Sequence, residues 1–586
     1  ATARYVCIKL LQGTSLELTQ HTTTMGTRRL PRVEITCDVL VVGGGCAGLI
    51  AALEAIKHVD RVVIVSKRRI GHSGNTVVSG SGFVAPELTS KNVTDPGTHY
   101  QDTMRVGDFI NDPQLVQTLV AETGNCIRRL EEYGAQFLKA DNGLLRTMSP
   151  GHTRARTVRA WSPHVPFKTA GLSVTIPLLQ AALDRGVKLL ENMPVIRLLV
   201  KDQAVRGAIG LDVKNNHGIE FHAGAIVLAT GGGGQIFSKS NNTVDMTGDG
   251  YALALEAGAT LRDMEFVQYF PSQAFSPLKL AIHNSLFSEG AKLRNSQGEV
   301  FMSQYDPDKA HLTTRDNMAR AIWSEVNAGN GIEGGVYMDL SDVPQIVWET
   351  SYSIMRKFLD NSGFDVSKQW LVVTPVVHSF MGGVKTDSLC QTGIHGLFVA
   401  GEGAGGLHGA NRLPGNALNE TVVFGAIAGQ QASGYAHRGR KHLLPETTFP
   451  MPSAPHRKES IPINEIRKSV QLSMWEGASV VRSRDSLRKA AAKIQECQSA
   501  LLTTPWQSAY DLAKLKEVEA MSKTAQALVA SALKREETRG SHFRSDYPSV
   551  DDTHWFGNIE VMKGNDDLEV DFIPVSQTRQ ELASSC

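Results

Sequence analysis

The sequence predicts an α/β fold, and three observations around one glycine turn predict it. A continuous apolar run, Val39 to Val42, leads into Gly43, Gly45 and Gly48; the helix-favouring segment LIAALEAIKH follows; a second apolar run, Arg61 to Val65, comes next. Strand, turn, helix and strand within about 30 residues form the βαβ unit that binds dinucleotides, a Rossmann-like arrangement. The glycines have separate tasks. Gly43 allows the tight turn, Gly45 lets backbone approach a pyrophosphate, and Gly48 lets helix pack against strand, while the helix N-terminus faces the phosphate charge. The second strand ends in Ser66 and Lys67, where an NAD-type site places an acid for the ribose. That substitution favours FAD over NAD as the held cofactor.

Composition sets the bounds. The chain has 586 residues, 60 Lys and Arg against 59 Asp and Glu, and a net charge of +1. Such balance gives no electrostatic case for nucleic acid or an anionic membrane as partner. With 41% hydrophobic and 20% charged residues the chain can bury a large core, and its length implies several domains. No window of about 20 apolar residues appears, so no membrane span is expected. The seven cysteines, Cys7, Cys37, Cys46, Cys126, Cys390, Cys497 and Cys586, show no C-x-x-C spacing. No metal or iron–sulfur site is therefore expected in this chain, and the thiols read as reduced in a cytoplasmic compartment. Cys46, inside the turn, reads as a small residue filling space.

Residues 1–24 are polar and aperiodic, and Met25-Gly26 precedes the basic segment TRRLPR, so the first 24 residues read as upstream sequence. Arg28-Arg29 is followed by no apolar segment of the kind an export signal needs. Past the βαβ unit, IGHSGNTVVSGSGFVA is dense in small residues and suits close packing along a planar ligand. Helical patterning runs from about Asp112 to Ala140, and the arginine-rich stretch Arg154 to Arg159 reads as a surface loop. The segment AGAIVLATGGGGQIF then gives a buried strand ending in Gly231 and Gly232, again a close backbone approach.

Two long runs carry a family resemblance: VDMTGDGYALALEAGATLRDMEFVQYFP, Val244 to Pro271, and LFVAGEGAGGLHGANRLPGNALNETVVFGAIAG, Leu397 to Gly429. Both closely resemble the flavoprotein subunit of fumarate reductase and succinate dehydrogenase, a family that also includes L-aspartate oxidase. So do SMWEGASVVRSRDSL and REETRGSHFRSDYP, and the resemblance spans Asp38 to about Val575. It implies FAD held by Gly43, Gly45, Gly48, Ser66, Lys67, Asn75, Thr76, Gly231, Gly232, Asp249, Glu402, Asn416 and Leu418. A helix starting after Gly415 would place its N-terminal amides at the N1 and O2 edge of a reduced flavin. Glu402, at a strand end, would bond ribose hydroxyls.

The resemblance also implies the chemistry. His378, in TPVVHSFMGG, and Arg412, in HGANRLPGN, match the groups that bind the substrate carboxylate. Arg315, in LTTRDNMARA, matches the proton donor, Glu289 matches a glutamate of its proton path, Lys292 stands where that path has a second arginine, and Ser288 is a carboxylate ligand. These types suit reduction of an alkene conjugated to a carboxylate, which needs a hydride from flavin N5 at one carbon and a proton at the next. A guanidinium grips a carboxylate by two parallel hydrogen bonds and stabilises the developing enolate charge. Arginine, with a pKa above about 12, needs a relay to be reprotonated. Taken singly, His378 would read as a core histidine and Arg315 as a first-turn helix arginine; their combination carries the assignment.

Two departures from the family pattern stand out. Asn75-Thr76-Val77 occupies the place of the histidine that binds FAD covalently, His72 is out of register, and non-covalent FAD is expected. That leans the reaction towards alkene reduction. Phe270-Pro271-Ser272 replaces a His-Pro-Thr whose histidine holds the substrate's second carboxylate. Losing a partner for a buried carboxylate costs about 1 to 3 kcal/mol. Either Ser272, Ser288 and a nearby residue suffice, or the substrate is not a simple C4 dicarboxylate: that end of the pocket then takes an apolar or aromatic group and the substrate is a different, longer 2-enoate.

The expected organisation is an N-terminal extension over 1–35, an FAD-binding domain in two parts over 36–270 and 376–440, an inserted α+β capping domain over 271–375, a C-terminal helical bundle over 441–545 and a tail over 546–586. Catalytic groups would then face one another across a cleft that cap closure dries. The tail WFGNIEVMKGNDDLEVDFIPV resembles complex-forming members, which implies an iron–sulfur electron-transfer subunit as partner and any membrane association through it. The alternatives are L-aspartate oxidase and a non-catalytic FAD-holding electron-transfer subunit.

Overall fold

The computed structural model describes residues 30–581 apart from 86–87, 90–91, 94–95, 141–142, 351, 440–460, 566, 578 and 580. The reading of residues 1–24 lies outside the described residues. The chain starts on β1 (Arg32–Val42), turns into α1 (Cys46–Ala55) and returns on β2 (Val62–Ser66). β1 reaches back to Arg32, into the expected extension, because Arg32–Cys37 pair in parallel with Gly218–Ala223.

Seven strands make the main sheet. From one edge the order is Val195–Lys201, Ala204–Asp212, His217–Leu228, β1, β2 and Lys188–Glu191, with Leu397–Val399 also pairing His217–Leu228. The contacts around β1 and β2 are parallel, and an antiparallel meander closes the first edge. Every residue of α1 is buried. It lies against the helix Asn416–Gly439, where a Cβ on Gly429 would meet the Ala51 carbonyl oxygen at 2.2 Å. Only glycine permits so close a crossing.

The cap is a second sheet of five antiparallel strands, in the order Leu280–Ala281, Val267–Ser276, Leu371–Phe380, Val336–Asp339 and Lys292–Arg294. Its core, including Leu286, Phe301, Met338 and Trp348, is separate from that of the main sheet. The two long strands, Val267–Ser276 and Leu371–Phe380, run through the expected boundaries at 271 and 375, so the cap is continuous with the domain beneath it.

Helices Ile463–Ala478, Arg484–Leu501 and Ala509–Lys534 form the bundle, and the last two open with capping boxes, Ser483 with Ser486 and Ser508 with Asp511. The tail hairpin Gly557–Lys563 and Leu568–Pro574 adds to a third sheet through Leu261–Arg262. Among the described residues no helix is long and apolar enough to cross a membrane.

Candidate active site

A cavity of about 1840 Å³ runs from the glycine turn of β1 to the underside of the cap. It exceeds the roughly 300–1,000 Å³ of a drug-sized ligand site. At the glycine turn Gly43 has φ +117°, and a Cβ there would lie 2.2 Å from the Ala229 carbonyl oxygen. Gly45 opens on the cavity, where the nearest atom to an added Cβ is Thr76 Oγ1 at 3.7 Å. Among the described residues no side chain caps α1. Its first-turn N–H groups therefore point at the cavity with little competition beyond a 3.4 Å bond from Cys46 N to Thr76 Oγ1. The helix Asn416–Gly439 begins on the same cavity, with Ala417 and Leu418 lining it. Two helix starts converging on a space that a Cβ would narrow make a cradle suited to a dinucleotide's phosphates and an electron-rich ring. These residues fit FAD.

Ser66, Lys67, Asn75, Thr76, Gly231, Asp249, Glu402 and Leu418 line the cavity beside Gly43 and Gly45. Lys67 pairs with Asp249 at 2.6 Å and with Glu517 of the helical bundle at 3.3 Å. Burial opposes its charge, but the two carboxylates outweigh burial and hold Lys67 above the usual lysine range. Three expectations need correction. Gly48 is turned from the cavity: its Cα faces the Gly43 carbonyl oxygen, which an added Cβ would meet at 2.0 Å, so it serves helix packing. Gly232 does not line the cavity either; a Cβ there would sit 2.4 Å from Glu402 Oε1, so its role is to admit that carboxylate. Asn416 is fully buried behind the wall, where His99 Nε2 donates to its Oδ1 at 2.8 Å and its Nδ2 donates to Thr103 at 3.0 Å. Glu402, expected on a ribose, has both oxygens engaged by protein, Oε2 by Asn75 Nδ2 at 3.0 Å and Oε1 by Phe380 N at 3.1 Å. Burial raises its pKa.

The groups expected to act on substrate come from three segments. Arg412 is 7% exposed and donates from Nη2 to Gln268 Oε1 at 2.7 Å. Among the described residues its Nε has no partner. His378, on the long cap strand, has Nδ1 at 3.2 Å from Asn241 Oδ1. Burial, then Arg412 and Arg315, push the His378 pKa well below the ordinary value, so the ring is neutral. Arg315 opens the helix Arg315–Asn327, capped by Thr314. Burial and the neighbouring Arg412 lower its pKa to about 10, against the pull of Asp316. Its Nε also lacks a partner among the described residues. Phe270 lies between the two: the Arg315 guanidinium stands 5.5 Å from its ring centroid, and the His378 ring 5.6 Å. The ring is 7% exposed, so protein groups cover most of it.

The relay and the serines depart from expectation. Ser288 lines the cavity but donates to the Ser285 carbonyl at 2.7 Å. Glu289 lines the cavity too, and among the described residues no hydrogen bond or ion pair joins it to Arg315. Lys292 is not in the cavity: it lies on the outer face of its strand, beside fully buried Leu293, and pairs with Asp342. Among the described residues no hydrogen bond or ion pair joins it to Glu289. Ser272 is fully buried in the cap, where it donates to the Ile282 carbonyl at 2.8 Å. A register shift between Phe270 and Gln273 turns Ser272 off the Phe270 face.

Several site residues escape sequence reading. Gln268 aims Arg412, Asn241 aims His378, and Asn242 donates to the His378 carbonyl at 2.8 Å. The arginine-rich loop is no surface loop. Arg156 is 3% exposed against Asp102 at 2.9 Å, and Arg159 lines the cavity. Alternation on the short strand Thr157–Arg159 was the available signal.

Comparison with known proteins agrees with this geometry. A model of the FAD binding domain matches residues 38–418, and one of the fumarate reductase flavoprotein C-terminal region matches residues 467–584. The chain is 39% identical to a fumarate reductase (CoM/CoB) subunit of Methanothermobacter marburgensis over 88% of this chain and 95% of that one. It is 34% identical to L-aspartate oxidase of Streptomyces coelicolor, over 91% of this chain and 92% of that one. E. coli quinol fumarate reductase superposes with a TM-score of 0.81 at 26% identity, covering 93% of this chain and 97% of the other. The chain therefore belongs to the FAD-binding flavoprotein family that includes the fumarate reductase and succinate dehydrogenase flavoproteins and the L-aspartate oxidases.

Proposed function

We propose that this flavoprotein reduces the carbon–carbon double bond beside a carboxylate, holding its FAD non-covalently. The observation that carries the reading is the convergence of Arg315, Arg412 and His378 on the cavity that begins at the glycine turn. When bound, FAD would supply the hydride. Arg412, fixed by Gln268, grips the carboxylate with the N–H groups it has free, and neutral His378, fixed by Asn241, shapes the other side. The Arg412 cation at the carboxylate stabilises enolate charge as it develops. Arg315 gives the proton; its lowered pKa makes it a stronger acid than a solvated arginine. Glu289 returns the proton through water, since no direct bond joins the two. Electrons come from an iron–sulfur partner subunit, a role supported by the resemblance of the tail to complex-forming members.

The test is anaerobic reoxidation of the reduced holoenzyme by fumarate, acrylate and cinnamate, followed by flavin absorbance. At least one acceptor reoxidises it rapidly, and Arg315→Lys slows that step by roughly a hundredfold or more at unchanged flavin content. Reoxidation of the variant at the wild-type rate sinks the assignment and favours an electron-transfer role. L-aspartate oxidase is the second reading, favoured by Glu289, a cavity carboxylate with no hydrogen bond or ion pair among the described residues and so open to a substrate ammonium. Anaerobic flavin reduction by L-aspartate would establish it.

A further inference from the structure

We propose that Glu517, in the helical bundle, is a positioning residue for the cofactor: through Lys67 it fixes Asp249 at the FAD cavity, so docking of the bundle and binding of FAD are coupled. The inference rests on the assignment of FAD and not on the reaction proposed above.

Lys67 stands between two cavities. It lines the FAD cavity and also a smaller one of about 200 Å³, which shares Pro194, Val195, Asp249 and Leu253 with the first. The lining of the smaller cavity includes Lys514, Glu517 and Ala520 of the bundle helix Ala509–Lys534. The bundle thus meets the FAD-binding domain at Lys67.

An ammonium has three N–H donors. Those of Lys67 go to Thr247 Oγ1, to Asp249 Oδ2 at 2.6 Å and to Glu517 Oε2 at 3.3 Å, so none is left for a ligand. Lys67 therefore acts on the cofactor through its partners. Of these, Asp249 lines the FAD cavity. Its Oδ2 is taken by Lys67 and by Thr247 Oγ1 at 2.8 Å, and its Oδ1 accepts no hydrogen bond among the described residues. A carboxylate oxygen held open in this way suits a ribose hydroxyl of FAD.

Glu517 is fixed in turn from inside the bundle. Arg467, on the neighbouring helix Ile463–Ala478, pairs with its Oε1, and Lys514 stands 3.7 Å from the same oxygen. Burial opposes the charge of Glu517, but Lys67, Arg467 and Lys514 outweigh burial and hold its carboxyl below the usual range. Lys67 and Glu517 are only 17% and 11% exposed, so salt screens their attraction far less than it would a surface pair.

A second contact, seven residues along the same helix and so on the same face, serves the same carboxylate. Thr524 Oγ1 donates to the carbonyl of Gly248, directly before Asp249, at 3.2 Å, and a Cβ on Gly248 would meet Thr524 Oγ1 at 2.2 Å. The bundle thus holds Asp249 by its side chain, through Lys67, and by its backbone, through Gly248.

The experiment measures the dissociation constant of FAD from the full-length protein, through the change in flavin fluorescence, for wild type, Glu517→Gln, Lys67→Met and the double variant. Each single variant is expected to weaken FAD binding by about fivefold or more, and the double variant to lie within about twofold of the weaker single one. Unchanged affinity in Glu517→Gln, or losses that multiply in the double variant, overturns the proposal. The reciprocal measurement needs no substitution: amide hydrogen exchange of the wild type with and without FAD. FAD should slow exchange at residues 515–520 more than in the helix Arg484–Leu501, which lines neither cavity. Equal slowing in the two helices also overturns it.

Discussion

Asn75 decides how the flavin is attached. Its Nδ2 bridges Asn242 Oδ1 and Glu402 Oε2, both at 3.0 Å, and its Oδ1 accepts from Thr243 N at 3.2 Å. An amide so engaged offers no nucleophile, and His72 is absent from the cavity wall. All of the flavin should therefore appear in the supernatant after acid precipitation, and yellow protein in the washed pellet would refute non-covalent binding. That Arg412, His378 and Arg315 share one cavity was legible from the motifs that hold them, a long run for Arg412 and short segments for the other two. Side-chain direction was not. A one-residue slip at Pro271–Ser272 sends Ser272 into the cap, and strand alternation sends Lys292 to the outside, effects that no spacing in the sequence displays. Asn241 and Gln268 act on partners more than 130 positions away, so nothing near them in the chain marks them.

The βαβ unit was legible because its determinants are local: an apolar run, glycines at fixed offsets and a helix former. What the sequence hid was the tertiary partner of each glycine. Gly48 was read as part of the ligand site as well as a packing residue, and the fold assigns it to packing alone. In Gly48→Ala the new Cβ meets the Gly43 carbonyl at 2.0 Å and Val41 Cγ1 at 3.4 Å. Both are anchored, the first in backbone and the second in a buried strand, so α1 must shift outward. α1 is buried on all sides, and its neighbour Asn416–Gly439 starts on the same cavity. The strain, about 1–3 kcal/mol for overpacking of this kind, therefore reaches both helix starts. Purified Gly48→Ala should show a lower melting temperature and a lower flavin-to-protein ratio than wild type. Equal flavin content would mean that the turn yields without moving the helix.

At the scale of the molecule, the domains are joined by polar groups buried between them, and this predicts a protein that loses stability in acid. Arg535 and Arg539 are fully buried with Glu537, and Arg482 meets His542 Nδ1 at 2.8 Å. Burial and the surrounding arginines hold His542 well below its usual pKa, and His378 and His283 are neutral for similar reasons. His99 gives the cleanest case, because it lies outside the catalytic cluster and is 1% exposed. Burial lowers its pKa from 6.5 to about 4, and as a neutral ring it donates to Asn416 at the base of the flavin-side helix. The unfolded chain protonates this histidine below pH about 6.5, whereas the folded chain waits until about 4. Between those values the unfolded state binds more protons, so stability rises with pH; the loss begins as pH falls through 6.5 and levels off below 4. At pH about 5 the difference amounts to about 2 kcal/mol for His99 alone. His99→Gln keeps an N–H for Asn416 and cannot titrate. Thermal unfolding of the holoprotein at about pH 7.5 and about pH 5 should therefore show the wild type losing more stability on acidification than the variant. Parallel losses in the two proteins would mean that His99 is protonated in the folded state and that acid enters the flavin-side wall without cost.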